Sequence, residues 1–244
     1  VDRGEFSVFF QPQVDIRHGK IVGAEALARW KDPVEGYISP AEFIPIAEES
    51  GIISQIGEWV LREVCTIGKK WLDQGHKPVP LAVNLSPRQF IHGNIVAVVE
   101  RILKETNFPP EYLEFEITES ALMDREEEAI KILNQFRSMR ILLAIDDFGT
   151  GYSSLAHLKR FPLDVLKIDK SFVDDIPENQ DDKEIAATII AMGHTLRLKV
   201  LAEGVETKEQ LEFLKDCGCD LFQGFYKSKP LAADEFLKFL LNNK

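Results

Sequence analysis

The sequence predicts an α/β fold, a (β/α)8 TIM-like barrel with an antiparallel first strand. Eight short apolar segments have the composition of strands, and nearly every connection after the second contains a helical segment. The first two strands are separated by only a few residues around Arg17–Lys20. Because a parallel pairing needs a crossover of a dozen residues or more, we expect this first pair to be antiparallel.

Each predicted element follows from local sequence. Apolar runs bounded by turn residues predict strands at Phe6–Gln11, within Lys20–Trp30, and at Leu81–Leu85, Leu113–Ile117, Leu142–Ile145, Val165–Ile168, Val200–Ala202 and Cys219–Phe222. Helical spacing of apolar residues predicts helices at Ile53–Leu72, Ile95–Leu103, Asp124–Met139, Ser153–Phe161, Lys183–Leu196, Lys208–Lys215 and Asp234–Leu241. Ser39-Pro40 resembles the start of a further helix, preceded by a loop at Lys31–Ser39.

Composition favours one folded domain over residues 1–244. The chain has 244 residues, of which 45% are hydrophobic, and no linker-like or low-complexity tract divides it. A net charge of −11 argues against binding to DNA or RNA polymers, whose partners are normally basic. The three cysteines lack CxxC spacing and suit a reducing compartment, so we expect the domain in the cytoplasm.

The chain begins at Val1 and contains no apolar run close to the roughly 20 residues needed to span a bilayer. We expect it to be part of a longer multidomain signalling protein with an upstream sensor or regulatory domain, and we expect no membrane contact by this domain. The sequence leaves open whether the parent protein is anchored to a membrane.

Polar side chains lie at or near the ends of all eight predicted strands, and each comes from a different strand. If the barrel closes, these groups converge at the edge where active sites of such barrels lie. The set comprises Gln11, Glu25, Asn84, Glu116, Asp146, Lys167, Glu203 and Gln223.

The oxygen donors in this set suggest a site for Mg²⁺ or Mn²⁺. The donors are Glu25, Asn84, Glu116 and Asp146, with Asp147 and Glu206 nearby. Two divalent ions would offset the mutual repulsion of so many carboxylates and could activate water. Asp146 and Asp147 are adjacent, so both can face one site only if the strand stops there and the chain turns, which Gly149 and Gly151 allow.

Ordered motifs then point to one family. The segments are Glu25-Ala26-Leu27-Ala28-Arg29-Trp30, Asn84-Leu85-Ser86, Glu116-Ile117-Thr118-Glu119-Ser120, the run from Asp146 to Leu155, Leu166-Lys167-Ile168-Asp169, Ala202-Glu203-Gly204-Val205-Glu206-Thr207 and Gln223-Gly224-Phe225. In order and spacing this set resembles the EAL-domain family of cyclic-di-GMP phosphodiesterases. The resemblance extends from about Phe6 to Pro230, although Phe225-Tyr226-Lys227 departs from the usual pattern.

The resemblance implies hydrolysis of the bacterial second messenger cyclic di-GMP to linear 5′-pGpG, with two divalent ions activating a bridging water, in a domain that forms a homodimer. It implies catalytic roles for Glu25, for Lys167, which orients the water, and for Glu203 as general base. It implies that Glu25, Asn84, Glu116, Asp146, Asp147 and Glu206 hold the metals, that Gln11, Leu27, Arg29 and Gln223 contact the substrate or its water, and that Glu119 braces the glycine loop 148–154.

Two other functions stay open at this point. One is a catalytically silent cyclic-di-GMP receptor of the same fold, because fold alone does not determine function. The other is a Mg²⁺-dependent barrel lyase or isomerase with Lys167 as the base. The chain contains no His-Asp dipeptide, which disfavours the other common cyclic-di-GMP hydrolase chemistry.

Overall fold

The computed structural model describes residues 3–92, 94–149, 155–176 and 178–243. Its strands form one continuous sheet that closes on itself through the first strand. Their bounds are β1 (Phe6–Asp15), β2 (Ile21–Asp32), β3 (Gly36–Ile38), β4 (Leu81–Leu85), β5 (Leu113–Thr118), β6 (Leu142–Phe148), β7 (Val165–Ile168), β8 (Lys199–Ala202), β9 (Leu221–Phe222) and β10 (Leu231–Ala232).

The predicted barrel and its antiparallel first strand are confirmed. β1 pairs in antiparallel fashion with β2 on one side and with β9 on the other, and the pairs from β2 through β4 to β9 are parallel. The remaining two strands extend the sheet beyond the barrel, because β3 pairs with β2 and β10 pairs with β1. The prediction that Lys31–Ser39 is only a loop is wrong, since β3 lies within it.

Helices connect most of the parallel strands. Their bounds are α1 (Pro40–Ser50), α2 (Ile53–Asp73), α3 (Pro87–His92), α4 (Ile95–Thr106), α5 (Glu119–Asp124), α6 (Glu126–Ser138), α7 (Leu155–Leu158), α8 (Gln180–Thr195), α9 (Lys208–Asp216) and α10 (Ala233–Asn242). Pro40 occupies the first turn of α1 as predicted. The predicted helix Asp124–Met139 begins later, because Arg125 separates α5 from α6. Residues 153 and 154 of the predicted segment Ser153–Phe161 lie outside the described residues.

Alternation along the strands separates two parts of the core. Outward-facing aromatics pack against the helices, as Phe10 does on Trp71 with ring centroids 5.3 Å apart and Phe115 on Phe136 at 4.8 Å. Inside the barrel, a small apolar layer contains Ala144, Val165, Leu201 and Leu221. Each of these four lies two residues before a predicted site residue, so the same inward face is apolar first and polar at the carboxyl end of the strand.

Within the described residues, no helix combines the length and apolar character that crossing a membrane would require. Cys65, Cys217 and Cys219 are free thiols, in agreement with the prediction that they form no disulfide framework.

Candidate active site

Lys167 lies at the centre of the polar cluster and is completely buried. Its Nζ is 2.7 Å from Glu116 Oε2, 3.0 Å from Asp146 Oδ1 and 2.8 Å from Glu203 Oε1. These three carboxylates come from β5, β6 and the residue after β8, and strand alternation directs all of them inward. One ammonium group therefore joins three parts of the barrel wall.

Glu25 forms a second centre, in which the hydrogen-bond donors are neutral amides. Asn84 Nδ2 donates to Glu25 Oε1 at 2.6 Å, and Gln223 Nε2 donates to Glu25 Oε2. The same Gln223 amide lies 3.2 Å from Gln11 Oε1, and Gln11 is directly opposite Glu25 in the β1–β2 register. β1, β2, β4 and the residue after β9 thus hold this carboxylate in place.

Asp146 and Asp147 both lie at the site, although they are adjacent in sequence. β6 does not stop at Asp146 as predicted but continues to Phe148, with its register to β7 shifted between Ile145 and Phe148. Asp147 has φ of 53°, a left-handed conformation that is uncommon outside glycine. This irregularity within β6, and not an end of the strand at Asp146, allows both carboxylates to face the site; Gly151 lies outside the described residues.

The carboxylates of Asp146, Asp147 and Glu203 form a candidate site for a hard cation. Oxygen atoms from the three groups lie within 4.8 Å of one another. Carboxylate oxygen is the donor that Mg²⁺ and Mn²⁺ prefer, so this donor set fits the predicted ions. Glu206 is not brought into this group, because its Oε1 accepts a hydrogen bond from Lys170 Nζ at 3.1 Å.

Burial and like charge shift the proton affinities in the cluster. Burial raises the pKa of Glu203 to about 8, with Lys167 acting in the opposite direction. Burial and the neighbouring Asp146 raise the pKa of Asp147 to about 6. Burial alone would lower the pKa of Lys167, but the facing Asp146 and Glu116 carboxylates hold it well above its usual range. These shifts favour the cationic form of Lys167 and increase the proton affinity of Glu203.

Glu119 supports the backbone that follows Asp147. This carboxylate is buried at the start of α5, and its Oε2 accepts a hydrogen bond of 3.1 Å from the backbone N–H of Gly149. Gly149 has φ of 102°, which favours glycine. The contact lies at the first part of the glycine loop that Glu119 is predicted to brace; residues 150–154 lie outside the described residues.

A cavity of about 340 Å³ opens beside the carboxylates and extends towards α1 and α2. Asn84, Asp146 and Asp147 line its polar end, and Leu27 and Arg29 line its wall. The Arg29 guanidinium is fixed at the rim, where Nη1 donates to the carbonyl oxygen of Ala28 at 2.9 Å. Two of the predicted substrate residues thus border the cavity, whereas Gln11 and Gln223 lie under it around Glu25.

Gln13 is buried inside the barrel and was not among the predicted site residues. Its Nε2 lies 3.3 Å from Glu116 Oε1, the carboxylate whose other oxygen contacts Lys167. A side chain at Gly23, on the facing strand, would overlap Gln13 Oε1. Gln13 lies on the same face of β1 as Gln11, two residues beyond the end of the predicted strand Phe6–Gln11.

The family model of the EAL domain matches residues 1–230. This chain belongs to the EAL domain family.

Relatives of this EAL domain include larger signalling proteins. The bifunctional diguanylate cyclase/cyclic di-GMP phosphodiesterase MucR of Pseudomonas aeruginosa is 44% identical over 97% of this chain, and the match covers 35% of that protein. The cyclic di-GMP phosphodiesterase NbdA of the same organism is 43% identical over 96% of this chain and 30% of that protein. The EAL domain described above thus spans about a third of the length of these relatives.

A solved structure also resembles this EAL domain throughout. The PaMucR phosphodiesterase in complex with c-di-GMP has a TM-score of 0.93 and 44% sequence identity, with coverage of 96% of this chain and 95% of that chain. The similarity therefore includes the whole barrel and the cavity-lining elements.

Proposed function

We propose that this EAL domain hydrolyses one phosphodiester bond of cyclic di-GMP and releases linear 5′-pGpG. The observation that carries the proposal is the convergence, at one end of the barrel, of Lys167 with its carboxylates and of Glu25 with its amides. MucR and NbdA, both of which are named as cyclic di-GMP phosphodiesterases, support the same substrate and reaction.

The proposal includes two divalent ions, Mg²⁺ or Mn²⁺. The residues that would hold them are Glu25, Asn84, Glu116 and Asp146, together with Asp147 and Glu206. The close approach of the Asp146, Asp147 and Glu203 oxygens supports this, because such a group repels itself without added positive charge. Bound divalent ions supply that charge and lower the pKa of water, which provides a nucleophile at neutral pH.

Glu203 is proposed to act as the general base that accepts the proton of the attacking water. Its carboxylate lies 2.8 Å from Lys167 Nζ, which fixes its orientation. Burial already raises its pKa to about 8, so the pocket stabilises the protonated form that proton transfer produces. Lys167 is proposed to orient the same water, since the surrounding carboxylates hold its buried ammonium in a fixed position.

Substrate contacts are proposed for Gln11, Leu27, Arg29 and Gln223. Arg29 offers a planar, permanently charged group at the cavity wall, which suits a phosphate oxygen. Gln223 and Asn84 also hold Glu25 in one orientation. Gln223 therefore has a second role, the positioning of Glu25, that does not require the substrate.

We further propose that residues 1–244 act as one domain of a longer cytoplasmic signalling protein, regulated by an upstream domain and functioning as a homodimer. The multidomain length of MucR and NbdA supports the first part.

The deciding experiment is incubation of the purified protein with cyclic di-GMP and Mg²⁺ or Mn²⁺, with and without chelator, followed by chromatography of the products. We expect chelator-sensitive formation of linear pGpG. Intact cyclic di-GMP that nonetheless binds would contradict hydrolysis and indicate the receptor function. Absence of both binding and turnover would leave the barrel lyase or isomerase chemistry.

A further inference from the structure

The face of β2 that lines the barrel interior continues past the barrel rim. Residues two apart on a strand share a face, so Glu25, Leu27, Arg29 and Lys31 project to the same side. Direct register partners extend this face across the sheet, because Phe9 lies opposite Leu27 and Tyr37 lies opposite Lys31. The catalytic carboxylate and the rim side chains therefore belong to one continuous surface.

An open slot of about 390 Å³ lies on this surface, and we call it the rim slot. Its lining residues are Phe9, Arg29, Tyr37, Ile38, Ser39 and Pro40. Arg29 and Pro40 also line the cavity that contains Asn84 and Asp146, so the slot adjoins the proposed active site.

The rim slot has the chemistry of a nucleotide site. Tyr37 is 60% exposed, and its ring meets Phe9 edge to face at a centroid distance of 6.4 Å. Two cations accompany these rings: Arg29 Cζ lies 5.8 Å from the Phe9 centroid, and Lys31 Nζ lies 5.7 Å from the Tyr37 centroid. Exposed aromatic faces stack on bases of any identity, while cations attract phosphate.

Folding alone gives no reason for this arrangement of Tyr37. β3 is a three-residue edge strand, and a ring that is mostly exposed there buries little apolar surface. A cyclic dinucleotide, in contrast, has two bases and two phosphates, and only one phosphate can occupy the carboxylate cluster at a time. The remaining base and phosphate need a second surface beside the first.

We propose that the rim slot is a stacking site for one base of the dinucleotide, with Tyr37 as the platform, and that Tyr37 is thereby a further substrate-binding residue. The inference rests on the proposed function, because it takes the cyclic dinucleotide as substrate. Stacking of one base on an aromatic side chain is worth about 1–3 kcal/mol, which corresponds to a change in dissociation constant of about 5- to 150-fold.

The test compares Tyr37→Ala with Tyr37→Phe and with Val34→Ala, a control at a 91% exposed position of the same hairpin that does not line the slot. Cyclic di-GMP binding is titrated in the presence of chelator, so that turnover does not interfere. We expect Tyr37→Ala to weaken binding by about 5- to 150-fold. Tyr37→Phe and Val34→Ala should bind as the unchanged protein does.

A second readout separates recognition from a structural effect. With Mn²⁺, Tyr37→Ala should raise KM for cyclic di-GMP and leave kcat nearly unchanged, and it should not alter hydrolysis of bis(p-nitrophenyl) phosphate, which is too small to span both sites. Equal binding by Tyr37→Ala and the unchanged protein would overturn the inference, as would an equal loss with both substrates.

Failure of the proposed function gives a different result. If the unchanged protein binds cyclic di-GMP without hydrolysing it, the chelator titration still decides the role of Tyr37. If the unchanged protein does not bind cyclic di-GMP, both the function and the stacking site are overturned.

Discussion

Glu116 and Glu25 are two buried carboxylates in the same barrel, but their surroundings differ. Glu116 contacts the Lys167 ammonium and the Gln13 amide. Glu25 accepts hydrogen bonds from the amides of Asn84 and Gln223, and among the described residues no ion pair involves it. The first carboxylate has its counter-charge within the protein, whereas the second is oriented by neutral donors.

This difference indicates where a bound cation would balance the most negative charge. Amides fix the position of Glu25 without neutralising it, so its charge remains to be balanced by a bound ion. On the other side, one lysine faces three carboxylates, so that side is rigid but still carries excess negative charge. We therefore expect the two halves of the site to respond differently when each is altered.

Lys167→Met should have the largest effect. Removal of the ammonium leaves Glu116, Asp146 and Glu203 without their common partner, and loss of one member of a buried ion pair costs about 3–5 kcal/mol. Denaturant unfolding of the metal-free protein measures this loss, and turnover of cyclic di-GMP should disappear. Lys131→Met, at an exposed position of α6, serves as control and should change stability by no more than about 0.5 kcal/mol. Equal stability of the two variants would contradict the central role of Lys167.

Glu25→Gln should abolish turnover as completely as Lys167→Met does, but it should reduce the free energy of unfolding by less. The new amide can still accept from Asn84, but its NH₂ group would face the donor of Gln223, and one unmatched buried donor costs about 1–3 kcal/mol. Denaturant unfolding of the metal-free protein compares the stability of Glu25→Gln with that of Lys167→Met. A loss as large as that of Lys167→Met would show that Glu25 has a counter-charge that the structure does not reveal.

The pH dependence of stability tests the excess negative charge. Burial raises the pKa of Glu203 to about 8, of Glu114 to about 7 and of Asp147 to about 6. In the unfolded chain these groups lose their protons near pH 4, so between about pH 4 and 8 the folded state holds more protons and its stability falls as pH rises.

The unfolding temperature of the metal-free protein should therefore decrease from about pH 5 to pH 8, as scanning calorimetry can measure. Added Mg²⁺ or Mn²⁺ should raise the unfolding temperature, and more at pH 8 than at pH 5, because the ions bind the deprotonated carboxylates. A flat or rising profile without metal would contradict the charge imbalance between the two halves.

Lys170→Met should have the smallest effect. The stem of Lys170 passes over Gly204, where any side chain would overlap Lys170 Cγ, and its Nζ holds Glu206 outside the carboxylate group. Release of Glu206 from an exposed pair worth about 0.2–1 kcal/mol should strengthen Mn²⁺ binding by up to about fivefold. Calorimetric titration measures this, with Lys208→Met, from the exposed pair with Glu212, as control. Unchanged or weaker binding would contradict a restraining role of Lys170.

The positions of the site residues could largely be predicted from the sequence, because strand ends at one edge of a barrel must meet. Leu81–Leu85 and Val165–Ile168 are strands with the predicted bounds, and they place Asn84 and Lys167. Which donor meets which acceptor could not be predicted. Gln223 and Glu25 are separated by 198 residues, and only the register of β1 between β2 and β9 brings them together.

The differences between the predicted and the observed strands also have physical reasons. The edge strand β3 is held by three register pairs with β2 and shows little pattern of its own. Asp147 adopts a left-handed φ that its residue type does not demand, so the irregularity in β6 was invisible in the sequence. The predicted first strand ended at Gln11, although β1 continues through Pro12, a residue that is uncommon inside strands, to Asp15 and carries Gln13.

The position of β1 between β2 and β9 has a consequence for folding during synthesis on the ribosome. The β1–β2 hairpin involves neighbouring sequence and can form early, whereas closure requires Val14 to pair with Phe222 of β9, far along the sequence. Until then one edge of β1 offers unpaired backbone groups to other nascent chains. Glu25 must therefore await Gln223, so this EAL domain completes its candidate active site only after residue 223 has been synthesised.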